Sequence, residues 1–173
     1  MHYRLSWNAA GAVLALGLCM QAPAGAVNNL DYIFSNAAQA CQLSLPTIDT
    51  RVSPRATGFR NDGTATTYVI CGLWKPVADS NYLDATIYLA TADGTAHDVT
   101  CTGVNDEAGG SQQYVSKTVH VANGAANAAV FSPADFGGIG DIPSGFNFSI
   151  TCALPPHAAI ERVRSHVSRD IGA

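Results

Sequence analysis

Phe146-Asn147-Phe148-Ser149-Ile150-Thr151-Cys152-Ala153-Leu154-Pro155-Pro156 is the stretch whose reading decides the fold. Phe146, Phe148, Ile150, Cys152 and Leu154 recur at every second position, opposite Asn147, Ser149, Thr151 and Ala153. Successive side chains of a strand point to opposite faces, so this pattern predicts a strand with one buried face. Pro155-Pro156 stops it, because proline brings no N–H to a ladder.

The same period recurs outward from this strand. Leu83, Ala85, Ile87 and Leu89 alternate with Tyr82, Asp84, Thr86 and Tyr88, and Val115, Lys117, Val119 and Val121 alternate with Tyr114, Ser116, Thr118 and His120. Asp62-Gly63, Asp93-Gly94 and Asn123-Gly124 supply the positive φ angles that tight hairpin turns require. Ile160 to Val167 reads as a final strand whose Arg162, Arg164 and His166 form a basic stripe, expected to guard a sheet edge. Short strands at turn-separated spacing predict an all-β chain with a single β-sandwich of Greek-key or jelly-roll type. That domain is expected to span 41–173, with 27–40 a flexible lead-in of no clear period.

Met1 to Asn8 carries Arg4, Ala9 to Met20 is apolar or small, and Ala24-Gly25-Ala26 offers the small residues of a cleavage site. The run of about a dozen residues is short of the roughly 20 needed to cross a bilayer. A signal peptide over 1–26, cleaved after Ala26, and no membrane anchor are therefore expected, with Leu18 before Cys19 arguing against lipidation. The destination is periplasmic or extracellular. The formal charge of −4 gives no electrostatic reason to bind nucleic acid.

Cys41, Cys71, Cys101 and Cys152 remain after cleavage, and four cysteines allow three pairings. None forms a C-x-x-C pair, which speaks against redox chemistry and common zinc sites. Two structural disulfides are expected, Cys41 with Cys71 and Cys101 with Cys152.

At Gly58-Phe59-Arg60-Asn61, Val69-Ile70-Cys71-Gly72-Leu73 and Ser149-Ile150-Thr151-Cys152-Ala153-Leu154-Pro155 the chain resembles a loose group of uncharacterised secreted proteins from Gram-negative bacteria. The resemblance implies a secreted sandwich with four structural cysteines and carries no catalytic role.

No G-x-S-x-G elbow, H-E-x-x-H motif, P-loop or dinucleotide fingerprint occurs, so no catalytic residue, metal or cofactor is assigned. Asn105-Asp106-Glu107 before Gly109-Gly110 has oxygens of the kind Ca²⁺ takes, but lacks the ligand alternation of an EF-hand and reads as a solvated loop. Trp74, Tyr82 and Tyr88, extended by Tyr114, are the candidate ligand-binding residues, as rings on an outer face suited to stacking on sugars. Ser132 to Gly145, rich in glycine, is the candidate functional loop. The function expected is a secreted, non-enzymatic binding or surface-interaction module, its partner a glycan or an envelope component. The alternatives are a structural or self-assembling extracellular protein and, less favoured, an extracellular hydrolase.

Overall fold

The alternation around Ile150 becomes the central strand of one of two antiparallel sheets packed face to face. The structure is a computed structural model that describes residues 28–45, 49, 51–75, 80–106, 112–142 and 147–170. Residues 1–26, where a signal peptide is expected, lie outside the described residues. The strands are β1 (Asn28–Asn36), β2 (Cys41–Leu43), β3 (Val52–Arg55), β4 (Gly58–Asn61), β5 (Thr67–Gly72), β6 (Ser80–Thr91), β7 (His97–Asp106), β8 (Gln113–Val121), β9 (Asn127–Phe131), β10 (Asn147–Leu154) and β11 (Ala158–Asp170). A single helical turn, α1 (Ala37–Ala40), follows β1, and a 3-10 turn, Pro133–Phe136, follows β9.

The first sheet runs β3-β4-β11-β6-β9, with β1 also pairing β11, and the second runs β2-β5-β10-β7-β8. From β4 onward every connection except the β7–β8 hairpin crosses between sheets, giving the orders β4-β11-β6-β9 and β5-β10-β7-β8. These are the two interleaved Greek keys of a jelly roll. Val69, Val99, Ile150 and Leu154 of the second sheet meet Ile87, Leu89, Ile160, Val163 and Val167 of the first in one buried core.

Both disulfides join directly opposed residues of neighbouring strands, Cys41 to Cys71 between β2 and β5 and Cys101 to Cys152 between β7 and β10, each with Cα atoms 4.0 Å apart. The pairing expected from the sequence is the one the strands adopt.

At one end a buried side chain ties the sheets together and a glycine lets two strands of the first sheet close up. The buried Asn61 side chain of β4 donates to the carbonyls of Ala65 and Leu154 and accepts from Gly63 N–H, linking the Asp62-Gly63 turn to β10. Gly58 has φ +136°, and a Cβ there would lie 2.1 Å from the Ile160 carbonyl oxygen, so only glycine lets β4 approach β11. At the other end Phe131, Phe136, Phe148 and Tyr82 form an aromatic cluster. Gly103 makes room for it, since a Cβ would meet the Phe131 ring at 2.8 Å.

Residues 28–40, which show no clear period, form β1 and α1. Every residue of β1 pairs with β11, from Asn28 opposite Asp170 to Asn36 opposite Arg162. Its period is hidden because Leu30, Tyr32 and Phe34 face solvent while Ile33 turns toward the core. The strand is held by ladder hydrogen bonds more than by a buried stripe. The basic stripe of β11 consequently does not guard an edge, because β11 is paired on both sides, to β1 and β4 on one and to β6 on the other.

Closing a loop with a sequence separation of 51 residues removes about 4 kcal/mol of unfolded-chain entropy. A Cys101→Ala, Cys152→Ala double variant is expected to melt roughly 10 °C lower than the parent in a reversible thermal scan. An unchanged melting temperature would show that this disulfide does not support the fold.

Candidate functional site

The outward residues of the second sheet form ordered rows across four strands. Tyr68, Ala153, Thr100 and Thr118 stand in one row, and Ile70, Thr151, Thr102 and Ser116 in the next. Gly72, Ser149, Val104 and Tyr114 make the third. Tyr68 on β5 and Tyr114 on β8 thus occupy opposite corners, three strand spacings or about 14 Å apart across the sheet and two rows apart along it.

Between the two rings lies a shallow trough of about 480 Å³, lined by Thr100, Thr102, Val104, Thr151 and Ala153 as well as the tyrosines. Its floor is low because the inner residues take the bulk and the outer ones are small or β-branched. Tyr68 is 53% exposed and Tyr114 63%, far from the usual fate of a large ring in a sandwich. The Tyr114 hydroxyl donates to the Gln112 side-chain oxygen, which steadies that ring. Thr100 and Thr118 share a hydroxyl hydrogen bond of 2.8 Å, and Thr102 and Ser116 one of 2.7 Å. Each pair spends one O–H internally and leaves the other hydroxyl free to donate to a ligand.

The three rows carry no charged side chain. Asp98 and His120, paired at 2.8 Å and both exposed, stand beyond the row of Thr100 and Thr118. The face therefore offers two apolar rings and a field of neutral hydroxyls, a surface for a neutral, hydroxyl-rich ligand rather than for an ion.

The residues singled out in the sequence fall elsewhere. Tyr82 is fully buried, which corrects its expected place on an outer face. The cause is a β-bulge: Asp84 opposes His166 but Tyr82 opposes Val167, so Leu83 is extra and the alternation of β6 inverts there. Tyr82 instead packs on Phe148 and donates to the Leu73 carbonyl at 3.1 Å. Tyr88 does face outward, but from the first sheet, where the Arg162 guanidinium lies 4.5 Å from its ring centre. Trp74 is 59% exposed in the segment after β5, one strand step past Gly72 and at the margin of the second sheet. The structure thus brings none of the three together, and the trough rests on Tyr114 and on Tyr68, which sequence reasoning missed. Counting from a disulfide cysteine finds Tyr68: Cys71 is buried, Val69 shares its face, and Tyr68 and Ile70 must then point out.

The stretch Ser132 to Gly145 is in its first part a plug rather than an open loop. Asp135 accepts from the Ser132 N–H and hydroxyl, and from Lys117 at 2.6 Å, while Phe136 enters the core. Burial pushes the Asp135 carboxyl up, but the bonds from Lys117 and Ser132 outweigh it and hold the group below the usual carboxylate range. Ile142 is buried and bridges to Tyr82, and 143–146 lie outside the described residues. Of the acidic turn, Asn105 is buried at the end of β7, whereas Glu107, Gly109 and Gly110 lie outside the described residues. Among the described residues no group of three or more His, Cys, Asp or Glu side chains is placed to hold a metal ion.

No protein-family model matches the chain, and no curated protein matches it. Among solved structures it is similar to the CBM35 from Cellvibrio japonicus Abf62, with a TM-score of 0.42 and 16% identity over 81% of this chain and 97% of that one. It is also similar to the family 11 carbohydrate-binding module from Clostridium thermocellum in complex with a β-1,3-1,4-mixed-linked tetrasaccharide, with a TM-score of 0.35 and 10% identity over 83% and 86% of the two chains. A third similarity is to the Podospora anserina GH26-CBM35 β-(1,4)-mannanase, with a TM-score of 0.29 and 8% identity over 79% of this chain and 27% of that one.

Burial pushes the Tyr82 phenol up to about 12, from the ordinary value near 10. The folded chain keeps this proton where the unfolded chain loses it, so the stability involved is whole below pH 10 and falls as pH rises through 12. In denaturant titrations from pH 9 to 12, Tyr82→Phe is expected to begin less stable than the parent, having lost the bond to Leu73, and to close that gap as pH rises. A gap constant with pH would contradict the buried, neutral phenol.

Proposed function

We propose that the protein is a secreted, non-enzymatic carbohydrate-binding module that holds a neutral glycan chain in the trough on the outer face of the second sheet. The observation that carries this reading is the diagonal pair Tyr68 and Tyr114, half-exposed rings at opposite corners of an uncharged floor of threonine and serine hydroxyls. Sugar rings present C–H faces that pack on aromatic rings and hydroxyls that exchange hydrogen bonds with the floor. A chain laid from Tyr68 to Tyr114 uses both. The sheet is pinned by disulfides on its inner face, so little conformational entropy is spent on binding.

The two disulfides suit an oxidising compartment, since such bonds persist outside the reducing cytoplasm. Among the described residues no helix is long and apolar enough to cross a membrane. A periplasmic or extracellular site of action, reached through the amino-terminal signal, completes the reading.

Affinity electrophoresis in gels containing xyloglucan, galactomannan or mixed-linkage β-glucan tests it. At least one of these neutral polymers is expected to retard the protein, and Tyr68→Ala and Tyr114→Ala are each expected to weaken binding tenfold or more, about 1.4 kcal/mol. Both rings are exposed, so the variants should melt with the parent. Retardation that survives loss of both rings would refute the trough as the binding face.

A further inference from the structure

The outward face of the first sheet carries a second constellation, independent of the trough and on the opposite side of the sandwich. Its organising residue is Arg162, the first residue of β11 after a β-bulge. Ile160 opposes Leu89 and Arg162 opposes Tyr88, so Glu161 is extra and the strand changes phase. The bulge presents Arg162 to solvent beside Tyr88 on one flank and Phe34 of β1 on the other, with ring centres 4.5 Å and 5.5 Å from the guanidinium carbon.

A guanidinium held between rings is preorganised by cation–π attraction and keeps its N–H fork for a ligand. The other basic residues of the stripe are committed. Arg164 donates to Asp84 and Thr86, and His166 pairs with the same Asp84 at 2.9 Å. Among the described residues the Arg162 side chain makes no hydrogen bond or ion pair; its contacts are the two rings. Its neighbour Glu161 lines a separate polar hollow of about 230 Å³ with Asn123 and Asn127. The face therefore carries Arg162 and Arg164 with two carboxylates, Asp84, which Arg164 and His166 engage, and the exposed Glu161 at the bulge, on a chain of net charge −4.

Beside the free fork runs an apolar bank. Leu30, Tyr32 and Phe34 are each more than half exposed along β1, and Tyr32 is stacked on His166 with ring centres 4.1 Å apart. A planar cation with unspent donors beside exposed rings is the chemistry that reads a carboxylate attached to an apolar ring face. The fork takes both carboxylate oxygens and the rings take the C–H face of the sugar.

We infer that the outer face of the first sheet is a second binding site, for a carboxylate-bearing polysaccharide, with Arg162 as its anion receptor and Phe34, Tyr32 and Tyr88 as its apolar walls. A protein with a neutral trough on one sheet and an acid-reading face on the other would join two kinds of polymer.

The test is titration of the mature chain with polygalacturonate and with its methyl ester, which share a backbone and differ in charge. Polygalacturonate is expected to bind at low salt and weaken as salt screens the charge, while the ester binds at least tenfold more weakly. Arg162→Gln should lose tenfold or more, Arg162→Lys should fall between because it keeps the charge without the fork, and Phe34→Ala should weaken binding. The Tyr68→Ala, Tyr114→Ala variant should bind polygalacturonate as the parent does, which separates this site from the trough. Equal binding by Arg162→Gln, equal binding of the ester, or loss in the trough variant would each overturn the proposal. So would Arg162-dependent binding confined to dextran sulfate or to phosphatidylglycerol vesicles.

Discussion

The Cys101–Cys152 cross-strand bond is the constraint on which the rest of the second sheet depends. It lies on the buried face between β7 and β10, and Thr102 and Thr151, the next residues on each strand, are directly opposed on the outer face. A slip of one residue between these strands would exchange their inner and outer sets, sending the trough floor into the core. The disulfide forbids that slip. The same bond that stabilises the fold therefore fixes which side chains line the trough. Cys41–Cys71 does the same for β2 against β5, the strand that carries Tyr68.

In the first sheet the deciding features are interruptions of the pattern. The bulge at Leu83 turns Tyr82 inward to complete the aromatic cluster with Phe148, and the bulge at Glu161 turns Arg162 outward beside Tyr88. β-Bulges sharpen the local twist and re-aim side chains, and here they divide the aromatic residues of β6 between core and surface. The two faces of the sandwich consequently differ in chemistry, one neutral and hydroxylated, the other basic and aromatic.

Much of this was legible in the sequence wherever one physical rule acted alone. The period of two in β10, its stop at Pro155-Pro156 and the cysteine framework all follow from burial and backbone chemistry, and the chain forms the expected sandwich, of the two types named the jelly roll. The readings diverged where a tertiary event overrode local periodicity. Tyr82 looks outward on strict alternation, and nothing within β6 announces the extra residue, because the bulge is defined by its partner strand. β1 looked aperiodic because its apolar residues occupy both faces, and its partner β11 lies at the far end of the chain. The stretch from Ser132 looked open because glycine and proline signal a turn, whereas the Lys117–Asp135 pair that ties it down joins residues from separate elements. The trough was half visible, since Tyr114 sits on a clean alternating strand, while Tyr68 needed the buried Cys71 to set the phase.

The measurement that bears most directly on the central claim is a two-dimensional amide NMR titration of the protein expressed from residue 27 onward with the neutral polysaccharide fragment that binds it best. Binding in the trough predicts shifts concentrated on the outward residues of β5, β10, β7 and β8, largest near Tyr68, Thr102, Tyr114 and Thr151, with β1 and β11 unmoved. Shifts confined to the loops at either end of the sandwich, or to the first sheet, would contradict it.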